Sequence, residues 1–98
     1  MLRDFFLGFI KIHILYHATK EPVYGLWLIG ELGRHGYKLS PGTLYPILHK
    51  LEKESLLKSY TKNVDGKIRK YYRTTSKGVK VLSGIKEKIN ELAGEIMR

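Results

Sequence analysis

The chain has 98 residues, 43% of them hydrophobic and 28% charged, the balance of one soluble globular domain with a modest core rather than of a disordered basic tail. Having no cysteine, it is excluded from disulfide frameworks and thiolate metal sites. Eighteen Lys and Arg against nine Asp and Glu leave a net charge of +9, which favours a polyanionic partner such as nucleic acid.

In chain order, Leu2 to Ala18 is dense in Phe, Ile and Leu. Phe6, Phe9, Ile10 and Ile14 keep helical spacing, and Leu7 and Leu15 widen the stripe into a helix apolar nearly all round. Lys11, His13 and His17 interrupt the run, which is too short for a bilayer span, so a buried or interface helix and no membrane are expected. No cleavable signal peptide is evident, and a cytoplasmic location fits. His13 and His17 stand at i and i+4, a metal-compatible spacing, but no carboxylate or cysteine is placed to complete the set and HExxH is absent. Structural or interface histidines, no metal and no cofactor are therefore expected.

Pro22 disfavours helical geometry in Glu21 and suits the first turn of a second helix, expected over Val23 to His35. Leu26, Ile29 and Leu32, with Trp27, form its stripe, and Gly36 is a natural left-handed stop. A turn through Leu39, Ser40, Pro41 and Gly42 leads into a third helix, capped by Ser40 or Thr43. Leu44, Ile47, Leu48 and Leu51 repeat there at i, i+3, i+4, i+7. Pro46 fits if that helix begins near Thr43, where its missing donor belongs to the unpaired first turn.

Beyond Leu57, β-forming residues flank Asp65-Gly66, a two-residue hairpin signal. Two short strands with a basic tip follow; of Tyr71 and Tyr72, one ring should pack on the core and the other lie partly exposed. Thr75 or Ser76 caps a last helix in which Leu82, Ile85, Ile89, Leu92 and Ile96 recur at spacings of three and four, behind Val79. One helix alone cannot bury that seam, so these five residues are the expected dimerisation surface.

Helix, helix, helix, strand, strand is the order of a winged helix-turn-helix: a mainly α fold with a β-hairpin wing, whose third helix enters the DNA major groove. Residues 1–75 would form the DNA-binding domain, with the first helix also available to the dimer interface, and residues 76–98 the C-terminal dimerisation helix. Charge follows this division. Residues 1–37 hold four basic and three acidic side chains, 38–80 hold eleven and three, and 81–98 hold three and three. On the third helix, about 100° per residue sends the leucine stripe to one side and Gly42, Pro46, His49, Lys50 and Lys53 to the other, with Thr43 and Tyr45 on the flanks. Lys50 and Lys53 suit phosphates, and Thr43, Tyr45 and His49 suit phosphates or base edges. Lys62, Lys67 and Arg69, with Lys70 beside them, would bring the hairpin onto an adjacent backbone or minor groove. The competing reading is a solvated face in which Lys50 and Lys53 pair with Glu52 or Glu54. No phosphate loop, nucleophile elbow or paired acids are present, so no enzyme is expected.

The runs "EPVYGLWLIGEL", "LSPGTLYPILHKLEKESLL" and "RKYYRTTSKG", from Glu21 to Gly78, resemble the PadR family of transcriptional regulators. The resemblance, closest to the short subfamily with a single C-terminal helix, implies a winged-helix repressor. It would dimerise through the last helix, often helped by the first, and in some members a small ligand releases it from its operator. By position, Ser40, Thr43, Tyr45, Pro46, His49 and Lys50 match the family's recognition-helix motif, and Lys67 and Arg69 fall in its wing. Two departures stand out: Ser55 where the family usually has Gly, and Thr74 where it usually has Leu.

The expected function is thus sequence-specific regulation of transcription by a homodimer on a pseudo-palindromic double-stranded DNA operator. The abundant aromatics of the first helix and Trp27 leave room for a small hydrophobic or aromatic effector, although core packing explains them equally well. The alternative is a winged-helix protein-interaction module that binds an acidic protein and no DNA.

Overall fold

A computed structural model of the chain describes residues 1–98. The elements run α1 (Leu2–Lys20), β1 (Val23–Tyr24), α2 (Gly25–Arg34), α3 (Pro41–Lys53), β2 (Leu57–Val64), β3 (Lys67–Thr74) and α4 (Ser76–Ile96). The strands form one antiparallel sheet in the order β1-β3-β2. Helices with a β-hairpin wing are the architecture expected from the sequence, with one strand more than the sequence suggests.

That extra strand takes the first two residues assigned above to the second helix. Pro22 stops a helix from running through, and Val23 and Tyr24 instead pair with Tyr72 and Tyr71. With α2 beginning at Gly25, its buried face is Gly25, Leu28 and Leu32, at helical spacings of three and four. Leu26, expected in the stripe, is 73% exposed, and Trp27 lies at the margin, its ring edge-on to His17. On α1, Ile10, Ile14, Leu15 and Ala18 enter the core, whereas Phe5 and Phe6 stay exposed. The helix is apolar on more sides than the chain covers.

On α3, Leu44, Ile47, Leu48 and Leu51 are all buried, as their spacing predicts. Two details differ from expectation. The helix starts at Pro41 with Ser40 as N-cap, so Pro46 is its sixth residue and not part of the first turn. The bond Pro46 cannot donate would have gone to the Gly42 carbonyl, and both residues are exposed, so that carbonyl is not stranded in the core. The Ser40 hydroxyl makes no cap bond and lies 3.3 Å from the Thr43 hydroxyl.

Both helix ends flanking α3's surroundings close in the same manner. After α2, Gly36 turns left-handed and Tyr37 N–H donates to the Leu32 carbonyl. After α3, Ser55 adopts φ 64° and Leu56 N–H donates to the Leu51 carbonyl, while Ser55 N–H donates to Glu52. This is the hydrogen-bond pattern of a Schellman stop, kept here with a serine in the glycine position. The wing turn has Asp65 at φ 53° and Gly66 at φ 82°, as an Asp-Gly hairpin of the I′ type requires.

The joint between β3 and α4 is tied at three points. The buried Thr74 hydroxyl donates to the Leu15 carbonyl at 2.8 Å. Thr75 caps α4 by accepting from Gly78 N–H, and its hydroxyl donates to the Ser55 carbonyl at 2.6 Å. Gly78 itself lies against Leu56 and Thr74, where a Cβ would collide with the Leu56 carbonyl. Thr74 therefore anchors the joint to α1 in the place of a leucine. Of the five residues of the last seam, Leu82 is 7% exposed within its own chain and belongs to the core, so it needs no second subunit to cover it. Ile85 is half-buried, and Ile89, Leu92 and Ile96 are 41%, 57% and 65% exposed.

Candidate nucleic-acid interface

The leucine stripe of α3 fixes how the helix rolls onto the core, and so which side chains it shows to solvent. Ser40, Thr43, Tyr45, Pro46, His49, Lys50 and Lys53 are all exposed. On the inner edge of the same helix, Glu52 Oε2 accepts from the Ser59 hydroxyl at 2.6 Å and from Ser59 N–H at 3.1 Å. These bonds join α3 to β2. Ser59's hydroxyl is the main reason the Glu52 carboxyl sits below its ordinary 4.5; burial opposes, while Ser59 N–H, Lys70 and His49 add smaller downward pulls.

Ser59 engages Glu52, and neither Glu52 nor Glu54 pairs with Lys50 or Lys53, so the α3 lysines do not form a self-neutralised face. All three ion pairs of the chain centre on Glu31, and none involves Lys50 or Lys53. His49, Lys50, Lys53 and Glu54 line a shallow depression along the far half of the helix.

The near half faces the wing. Tyr45 lies against the start of α2, so close to Gly25 that a Cβ there would strike its hydroxyl. A cleft opens between them and the hairpin, lined on the wing side by Lys67, Arg69 and Lys70 among others. Arg69 is held over the Tyr24 ring, 4.0 Å from its centre, and reaches the Tyr71 hydroxyl at 3.5 Å. The register sets Lys62 opposite Arg69 on the same face of the sheet, but on the far strand and outside the cleft. The structure thus brings Tyr45 together with Lys67 and Arg69, and leaves Lys62 and the group of His49, Lys50 and Lys53 apart from that cleft. Lys70 belongs with the wing cations, its ammonium 5.6 Å from the centre of the Tyr72 ring. Tyr72 is buried and Tyr71 partly exposed, the division that strand alternation predicts.

A second cluster, on the other side of α2, has no counterpart in the sequence reading beyond one half of it. His13 and His17 of α1 meet His35, just past α2, and Glu31 reaches His17 and His35. Glu31 Oε1 accepts from Arg34 at 2.8 Å, and Glu31 Oε2 lies 3.1 Å from His35 Nε2 and 3.5 Å from His17 Nε2. Burial pushes Glu31 upward, but the hydrogen bonds from Arg34 and His35 outweigh it and hold the carboxyl below 4.5. Burial first, then His35 and His17, push the His13 imidazole below 6.5, against a smaller pull from Glu31. The carboxylate judged missing beside His13 and His17 is therefore present. It comes from another helix at its own i, i+4 spacing with His35, a match that shows only once α1 and α2 pack.

Relatives of known sequence and structure fit this geometry. Residues 14–84 match the model of the Transcriptional regulator PadR-like family. The transcriptional regulator Rv3488 of Mycobacterium tuberculosis is 46% identical over 96 residues, covering 98% of this chain and 90% of its own. A PadR family transcriptional regulator from Eggerthella lenta superposes with a TM-score of 0.83 at 34% identity, over 98% of this chain and 85% of that one. A PadR-like transcription factor from Bacteroides fragilis gives 0.84 at 29% identity, over 96% and 92%. With the family match spanning most of the core, α3 and the wing alike, this chain belongs to the PadR-like family of DNA-binding transcriptional regulators.

Proposed function

We propose that the chain acts as a homodimeric repressor that lays α3 in the major groove of a pseudo-palindromic operator and sets its wing on the neighbouring backbone. The observation that carries this reading is the unpaired state of its cations. None of the eleven Lys and Arg of residues 38–80 stands in an ion pair. Charge left uncompensated on one segment is available to phosphates. Ser40, Thr43, Tyr45, Pro46 and His49 read the groove, Lys50 and Lys53 hold the flanking phosphates, and Lys62, Lys67 and Arg69 carry the wing.

Ile85, Ile89, Leu92 and Ile96 join two copies, so that paired α3 helices meet successive major grooves about 34 Å apart. The protein works in the cytoplasm as a binding protein without a reaction of its own. Phe6, Ile10, Tyr37 and Leu39 line a shallow pocket beside α1, suited to a small hydrophobic or aromatic effector.

The test begins with selection of bound sequences from a random duplex pool, followed by affinity measurements across a salt series. Wild type should lose affinity steeply as salt rises. Changing both Lys50 and Lys53 to Ala should weaken binding at least tenfold and flatten the log–log salt slope by about 2, one for each lost phosphate contact. Binding indifferent to salt, or to the double substitution, would remove the α3 face from the interface.

A further inference from the structure

The cluster between α1 and α2 lies apart from the basic face of α3 and the wing, and has the composition and spacing of a ligand set. His13 and His17 project from one helix a turn apart, and Glu31 and His35 come from the next with the same separation. One ligand nitrogen from each histidine lies within 4.8 Å of the others. Zinc bound tetrahedrally at about 2.0–2.1 Å from nitrogen and oxygen sets neighbouring ligand atoms about 3.3–3.4 Å apart. The distances from Glu31 Oε2 to His35 Nε2 and His17 Nε2, 3.1 and 3.5 Å, already bracket that edge.

Two hydrogen bonds from imidazole to carboxylate would account for His17 and His35 alone. They do not account for His13, whose ring is packed 4.6 Å from the His35 ring centre and 6.2 Å from that of His17, while no side-chain hydrogen bond engages it. A third imidazole gathered into the group without a polar partner is what a shared cation would employ. Arg34 grips the other carboxylate oxygen and leaves Oε2 turned to the rings, the supporting role that outer partners play around metal ligands. The pocket opens beside α4, where Leu82 and Lys86 line it; Lys86 is the one further cation there, on a stem long enough to swing clear.

We propose that His13, His17, His35 and Glu31 bind one divalent transition-metal ion of the zinc type, joining α1 to α2. Three imidazoles and one carboxylate form a borderline nitrogen and oxygen set, which selects zinc-like ions over magnesium and calcium. Since α2 also packs on α3, the ion would sit one helix away from the DNA face without touching it. The site does not depend on that face being a DNA interface.

The probe is zinc chloride added to the untagged full chain against a competing chromophoric chelator. The expected result is one ion per chain, with His17→Ala and His35→Ala each weakening binding at least tenfold and His49→Ala, outside the cluster, matching wild type. Ring-nitrogen NMR on the unaltered chain gives a second measurement that needs no variant to fold. Zinc should shift the imidazoles of His13, His17 and His35 and leave His49 in place. Equal binding by the variants, fewer than one ion per chain, or a shift centred on His49 would overturn the assignment.

Discussion

At Gly36 and Ser55 the backbone turns left-handed, with φ of 89° and 64°, and the same pair of hydrogen bonds closes the helix before it. Only the second turn carries a side chain that resists this conformation, at roughly 1 kcal/mol. Substituting Ser55→Gly relieves that strain while adding some freedom to the unfolded chain. We expect a net gain of up to about 0.5 kcal/mol, read as a higher urea midpoint at unchanged slope. The Thr75 hydroxyl bonds to the Ser55 backbone carbonyl, so glycine keeps that link. Tyr72 shows the opposite case of a polar group with nothing to do. Its hydroxyl is buried without a partner, and burial pushes its pKa above the ordinary 10.0. Removing an unsatisfied buried hydroxyl should cost nothing, so Tyr72→Phe is expected to leave stability unchanged or raise it by up to about 1 kcal/mol in the same assay.

Between elements, the link from α3 to the wing runs through Glu52 and Ser59 and is sensitive to acid. Ser59's hydroxyl bond favours the charged carboxylate and lowers the folded pKa below 4.5. A depressed carboxyl stabilises the fold above its unfolded pKa and loses that contribution as pH falls through the folded value. Wild type should therefore lose stability on acidification below about pH 4.5 more steeply than Glu52→Gln; parallel pH profiles of the two urea midpoints would refute the link. What the sequence disclosed at this scale follows from how local each signal is. The α3 stripe and the Asp65-Gly66 turn are written in consecutive residues and came out in place. β1 is two residues long and exists because β3, far along the chain, pairs with it, so no local pattern announces it, and its presence moved the start of α2 by two residues, from Val23 to Gly25. Pro46 was misplaced for a related reason: Pro41 opens the helix earlier than the threonine cap suggested. On the DNA side, exposure of the chosen residues was legible from the wheel. The grip of Tyr24 and Tyr71 on Arg69, and the meeting of two histidine-bearing helices, depend on tertiary packing and were not.

For the molecule as a whole, α4 is the element whose chemistry exceeds what the chain can satisfy. It has 21 residues, about 31 Å of helix at 1.5 Å per residue, yet only Gly78 and Leu82 are buried. The molecule is accordingly long, with extents of 53 × 28 × 20 Å. If the open seam is where two copies meet, a charge in its middle should separate them. Ile89→Glu is expected to convert the dimer to a folded monomer in sedimentation at micromolar concentration, with helical content kept. It should also weaken operator binding, as each half-site then acts alone. A wild-type monomer under the same conditions would refute the arrangement. The seam's leading residue, Leu82, lies in the monomer core beside the histidine pocket, so α4 is rooted in its own domain before its open seam begins. If two such halves join on the operator, the assembly responds to its own abundance. While monomers prevail and the operator is mostly empty, a dimer's occupancy would grow with the square of the number of chains, so a twofold fall in protein level would cut it about fourfold, with no signal beyond dilution.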